Sequence, residues 1–186
     1  MIEVVPYDPR WPDRFQALKN EYSAALKQAN VPVVAIEHVG STSVPGLAAK
    51  PIIDCDIVVV AEEVKRASDV LVCLGFRPLG ELGIPQRWAF TEPPRLAGTN
   101  TYVTVQRCLS LRNHLRVRDL LRAEPELRDA YGHLKLRVGP TVTTIEEYGQ
   151  AKNEMIQNIL QRVGFTDAEQ QRINGAQIPS RDEVPR

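Results

Sequence analysis

The sequence predicts an α+β protein, with a sheet and its flanking helices up to about residue 106 and helices alone after that. Three observations carry the prediction. Short β-branched or alternating runs at 31–39, 52–60 and 99–106 are separated by segments whose apolar residues recur every three or four positions. Beyond Leu109 the strand signal stops and only the helical period remains. The chain has 186 residues, 43% of them apolar, and a formal net charge of zero, which suits one globular domain with a buried core.

The elements follow in order. Residues 2–5 read as a short edge strand and 6–12 as a turn-rich entry, because proline disfavours helix in the residue before it. Phe15, Leu18, Tyr22, Ala25, Leu26 and Ala29 mark an amphipathic helix over 12–30. The β-branched run 31–39 is the first main strand, and 52–60, continuously apolar from Ile57, is a central one covered on both faces. A helix over 61–74 ends at Gly75. Strands at 76–82, 86–91 and 99–106 follow, with a Pro- and Gly-containing loop at 92–98. Leu111, Leu115, Val117, Leu120 and Leu121 stripe the next helix, Pro125 opens another, and a last one covers 145–163. The polar tail from Ala168 is expected to be mobile. The expected organisation is a core over 1–106, a helical region packed on it over 107–165, and a tail over 166–186.

Composition narrows function. Zero net charge implies no bulk attraction to nucleic acid or to a membrane surface. Cys55, Cys73 and Cys108 are far apart, odd in number and without C-x-x-C spacing, which points to reduced thiols in a cytoplasmic protein. No segment approaches membrane-spanning length, and the first residues lack the pattern of a signal peptide.

The chemistry concentrates in 36–60. Gly40-Ser41-Thr42-Ser43 is a small-residue turn whose backbone N–H groups and hydroxyls suit a phosphate. Asp54 and Asp56 alternate with Ile53, Cys55 and Ile57, so a strand aims both carboxylates to one face. Two acids so placed need a cation between them, and Mg²⁺ is commonly held by one or two carboxylates plus substrate phosphates. Taken alone, the turn reads first as a solvated loop and the acids as caps or arginine partners. Together, in this order, they read as phosphate cradle and metal clamp. Trp11 and Trp88 read as packing residues.

These residues carry a resemblance. The run Glu37-His38-x-Gly40-Ser41-Thr42-Ser43-Val44-Pro45-Gly46-Leu47-x-Ala49-Lys50-Pro51-x-Ile53-Asp54, then Arg118-Asp119-x-Leu121-Arg122, Pro125-Glu126, Tyr131, Leu134-Lys135, Tyr148 and Ala151-Lys152, resembles the GrpB family over about residues 4–163. That family is similar to the nucleotidyltransferase (polymerase-β-like) superfamily. The resemblance implies a nucleotidyltransferase-like mixed sheet flanked by helices and a C-terminal helical region. It implies a nucleoside triphosphate such as ATP on His38, Gly40, Ser41, Thr42, Ser43 and Lys50, Mg²⁺ on Asp54 and Asp56 as the catalytic pair, and a small-molecule acceptor. Arg118, Arg122, Lys135 and Lys152 are candidates for holding an acidic or phosphorylated substrate, with His114 beside them; Arg118 and Asp119 equally suit structural ion pairs. One departure matters: the strand over 99–106 carries no third carboxylate, and Glu81 and Glu92 are the acids that neighbouring segments offer. A catalytically inactive nucleotide-binding module is therefore the alternative.

Overall fold

The computed structural model describes residues 1–174. Its strands are β1 (Ala35–Val39), β2 (Ile53–Val59), β3 (Arg77–Gly80), β4 (Arg87–Thr91) and β5 (Thr99–Val105). They form one sheet in the order β1-β2-β5-β4-β3. β2 and β5 run parallel and the other neighbouring pairs antiparallel, so the sheet is mixed. Helices α1 (Trp11–Gln28) and α2 (Val64–Cys73) cover one face. On the other lies α3 (Leu109–Ala123), followed by α4 (Pro125–Val138), α5 (Ile145–Gln150), α6 (Asn153–Arg162) and α7 (Asp167–Asn174). The α+β class, with a flanked mixed sheet and a helical C-terminal region, is the observed architecture.

Residue spacing explains which face each helix takes. Trp11, Phe15, Leu18, Tyr22 and Leu26 stand on one side of α1 and are buried. Tyr22 Oη lies 2.9 Å from Thr101 Oγ1. Thr101 pairs with Cys55 in the parallel register, so α1 packs on the face of β2 that carries Cys55 and its alternates Ile53 and Ile57. Asp54 and Asp56 consequently face α3. The run Ile57, Val58, Val59 is at most 1% exposed, because β2 is central and covered on both sides. A second apolar cluster joins Val44 and Leu47, just after the Gly-Ser turn, to Leu121 of α3, Tyr131 of α4 and Ile159 of α6.

Four boundaries differ from expectation, each for a local reason. The first strand begins at Ala35: Pro32 lacks the N–H a ladder needs, and only Val34 N reaches Val58 O from this lead-in. Residues 2–5 make a single bridge, Val5 to Ala49, in place of a strand. The final helix is broken at Ala151 and Lys152, which separates α5 from α6 and places Lys152 at a helix start. The polar tail does not begin at Ala168. Thr166 Oγ1 accepts from Glu169 N and Glu169 Oε2 accepts from Thr166 N, a reciprocal cap that starts α7. Arg112 holds Glu169 at 2.9 Å. The rest of the expected tail, 175–186, lies outside the described residues.

Candidate functional site

The Gly-Ser turn sits where β1 hands over to a three-residue 3₁₀ turn, Ser41–Ser43. Gly40 has φ +68, and a Cβ there would collide with the Asp54 carboxylate. Gly40→Ala is therefore expected to displace either the turn or Asp54 and to destabilise the protein by about 1–3 kcal/mol in denaturant melts.

Several of the candidate site residues build this turn. Ser43 Oγ donates to Gly40 O at 2.6 Å. Thr42 Oγ1 donates to Ile52 O at 3.0 Å, which leaves it to accept from His38 Nε2, also at 3.0 Å. His38 stacks on Phe15 with ring centroids 4.6 Å apart. Burial, followed by the charges of Arg122 and Arg118, lowers its pKa to about 4, so it is neutral with its proton on Nε2. Arg122 grips Ser43 O with Nε at 3.0 Å and Nη2 at 2.6 Å. Arg118 Nη1 donates to Glu37 Oε2 at 2.7 Å and to His38 O at 3.1 Å, while its Nε holds Asp119. His38, Ser43, Arg118 and Arg122 thus brace the turn from behind.

The acid pair shares a face and differs in depth. Cross-strand register puts Val39 and Asn100 beside Asp54, and Glu37 and Tyr102 beside Asp56. Asn100 Nδ2 donates to Asp54 Oδ1 at 2.7 Å, and Asp54 opens onto a pocket. Burial raises the Asp54 pKa against the opposing pull of Asn100, His114 and Lys50, so a nearby cation would favour its charged form. Asp56 is 0% exposed and its Oδ2 lies 2.7 Å from His114 Nδ1. Burial works against the imidazolium, but the Asp56 charge and hydrogen bond outweigh it and the His114 pKa is raised. Asp56 Oδ1 is buried without a hydrogen-bond partner among the described residues. An orphaned carboxylate oxygen on the face of a second carboxylate fits a divalent cation completed by ligand phosphates. Among the described residues no group of three or more His, Cys, Asp or Glu side chains has metal-holding geometry. Asn100 stands on β5 beside Asp54, and Glu81 Oε1 accepts from Gln86 N at 2.6 Å.

The lysines converge. A cavity of about 110 Å³ is lined by Ser41, Thr42, Asp54 and Asn100 together with Lys50, Lys135 and Lys152. Lys135 is 2% exposed, donates to Ser41 Oγ at 2.9 Å and lies 4.5 Å from the Tyr131 ring centroid. Burial and then the charge of Lys152 lower its pKa to about 6. Lys152, 3.7 Å from the centroid of Tyr148, is lowered to about 8 by burial and then by Lys50. Lys50 approaches the same ring at 5.9 Å. Tyr148 also lines this cavity, and its buried Oη has no hydrogen-bond partner among the described residues. Cations weakened by mutual repulsion and burial, beside an unsatisfied hydroxyl, are what a polyanion would complete.

A second cavity, of about 190 Å³, lies on the other side of Ser41 between the turn, α3, α4 and α6. Val44, Val117, Leu121, Tyr131, Ile156 and Ile159 form its apolar wall, and Asn113, His114 and Arg118 its polar end. The importance of Asn100, Glu37 and Tyr148 was not readable as a role: register and the α5–α6 break bring them to the site. An alternation count on β5 finds Asn100, because it shares the parity of Tyr102 and Thr104.

The chain has relatives among known proteins. The family model described as GrpB protein matches residues 1–162. The UPF0157 protein YqkA of Bacillus subtilis is 34% identical over 158 residues, covering 83% of this chain. This chain spans 45% of YqkA's length. The crystal structure of conserved protein GrpB from Enterococcus faecalis superposes with TM-score 0.76 at 29% identity, covering 87% of this chain and 96% of that one. The Cid1 poly(U) polymerase, solved with MgGTP bound, aligns more loosely, with TM-score 0.46 at 17% identity over 78% of this chain and 50% of that one.

Proposed function

Since the chain belongs to the GrpB family, we propose that it is a nucleotidyltransferase-like enzyme that uses ATP or a similar nucleoside triphosphate to modify a small acceptor. The observation that carries this reading is the meeting of three lysines, the Ser41 hydroxyl and Asp54 in one cavity. Lys50, Lys135 and Lys152 bind the phosphates, Ser41 and Tyr148 contribute hydroxyls, and the braced turn fixes their positions. Nucleotidyl transfer forms a bond from an acceptor oxygen or nitrogen to the α-phosphorus and breaks the α–β bridging P–O bond, releasing pyrophosphate and a proton. Catalysis of such a step is mostly positioning and charge stabilisation, which a preorganised cationic pocket provides. Mg²⁺, held by Asp54 and Asp56, would supply charge neutralisation on the transferring phosphates. The free thiols Cys55, Cys73 and Cys108 support a reducing, cytoplasmic setting.

The second reading, a nucleotide-binding module without turnover, is favoured by Asn100 standing where a third carboxylate would sit. Calorimetry and pyrophosphate assays separate the two. Saturable heat with ATP and Mg²⁺ is expected for both, and the absence of heat with any nucleotide would reject both. Pyrophosphate release with an acceptor is expected for the enzyme alone, with Asp54→Asn lowering it at least 100-fold. Full turnover in that variant would overturn the metal assignment.

A further inference from the structure

We infer that the apolar chamber beside the Gly-Ser turn binds a neutral small molecule with an aromatic or branched aliphatic body and a single hydroxyl or amine head. Taken with the function proposed above, on which this part rests, that molecule is the acceptor.

The wall sets the body. Val44, Leu121, Tyr131 and Ile159 are buried, and Val117 and Ile156 half-buried, around about 190 Å³. An engineered protein cavity of about 150 Å³ lined by Leu, Ile and Phe stays dry and takes benzene, so the apolar part of this chamber accommodates a ring-sized body. A polyhydroxylated acceptor would lose its water hydrogen bonds against this wall without replacement.

The polar end sets the head and the charge. Arg118 and His114 are the cationic side chains on the chamber: the guanidinium is held by Glu37 at 2.7 Å and Asp119 at 2.8 Å, and the imidazole lies 2.7 Å from Asp56. Both charges are balanced within the protein, so the chamber does not ask for an anion. Asn113, Ser41 and His114 remain as polar lining, enough for one head group. Ser41 lines both cavities, and His114 ties the chamber to the acid pair through Asp56. A head at this end therefore lies at the junction between the apolar chamber and the lysine pocket. The two cavities divide the chemistry: one cationic and built for a polyanion, the other apolar and electrically balanced.

Binding measured without nucleotide tests the chamber separately from the function. Indole and benzyl alcohol, titrated by ligand-observed NMR, are expected to bind saturably, and erythritol not to bind. Ile156→Trp and Val117→Phe fill the chamber from half-buried positions and are expected to weaken indole at least tenfold while leaving tripolyphosphate binding unchanged, which also reports that they are folded. Lys135→Met is expected to do the reverse. Indole binding that survives both filling variants, erythritol binding as tightly as indole, or no saturable aromatic binding would overturn the inference. Adenosine displacing indole with higher affinity would overturn the acceptor assignment by giving the chamber to the nucleoside. Loss of all tripolyphosphate binding, with indole retained, would instead count against the phosphate reading alone.

Discussion

Lys135→Met is expected to weaken tripolyphosphate or ATP binding by roughly 30- to 100-fold, the worth of one charge-assisted hydrogen bond in a desolvated pocket. The same change is expected to stabilise the ligand-free protein by about 1–4 kcal/mol, as replacing a costly buried charge with an apolar side chain of similar length often does. The two effects have one origin. In the free protein Lys135 is 2% exposed, with Ser41 Oγ and the Tyr131 face as partners and Lys152 as a like charge nearby. Its pKa falls from 10.5 to about 6, so between those values the unfolded chain holds a proton that the folded chain does not. Wild-type stability accordingly rises with pH across that window. The advantage of the variant is largest at and below pH 6 and fades as pH approaches 10. Thermal or urea melts at pH 6 and pH 9 check the sign; a methionine variant less stable than wild type at pH 6 would mean that the lysine is paired in a way the geometry lacks.

Anion binding reverses the proton balance. A phosphate against Lys135 favours the ammonium, so the complex holds a proton that the free pocket lacks, and binding takes up close to one proton at pH 7 from this side chain. Affinity then falls as pH rises above about 6, with Lys152, lowered to about 8, adding to the decline. Calorimetry in two buffers of different ionisation enthalpy measures the uptake directly. It is expected to drop in Lys135→Met, which also removes the phosphate's own titration from the comparison.

Much of this was readable from the residues, and what was not has a physical reason. The alternation of Asp54 and Asp56 with Ile53, Cys55 and Ile57 fixes their common face through strand geometry alone, and the central place of β2 follows from its apolar run. Depth is different. It depends on what α3 brings over the sheet, and a side chain 58 residues away, His114, separates a sealed Asp56 from an open Asp54. The predicted basic residues divide in the same way. Lys135 and Lys152 reach the cavity because α4 starts at Pro125 and the chain breaks between α5 and α6, whereas Arg118 and Arg122, one turn apart on α3, meet the back of the turn. Side-chain type marks all four as candidates; helix crossing sends the two lysines to the cavity and the two arginines to the turn. β5 carries no acid, and the acid nearest in register to Asp56 is Glu37 on β1, which Arg118 holds.

His114→Ala is expected to cost about 3–5 kcal/mol, the range for breaking a buried ion pair from one side. Asp56 is 0% exposed and one of its oxygens already lacks a partner among the described residues, so removing the imidazole leaves the whole carboxylate without a cation or donor from them. The pair itself need not be worth that much, because both charges were taken out of water to form it. Asp56→Leu with His114→Leu is therefore expected to recover most of the loss, giving a large coupling in the double-mutant cycle. His114→Gln separates charge from hydrogen bonding: it keeps a donor toward Asp56 and removes the positive charge. An intermediate loss would mean that the hydrogen bond carries part of the pair and the charge the remainder. A loss below about 1 kcal/mol in His114→Ala, with no coupling in the cycle, would show that the pair does not hold α3 against the sheet. The distinction bears on function as well as stability. Asp56 shares its face of β2 with Asp54, so a pair that pins the Asp56 carboxylate to α3 also fixes the geometry of the two acids.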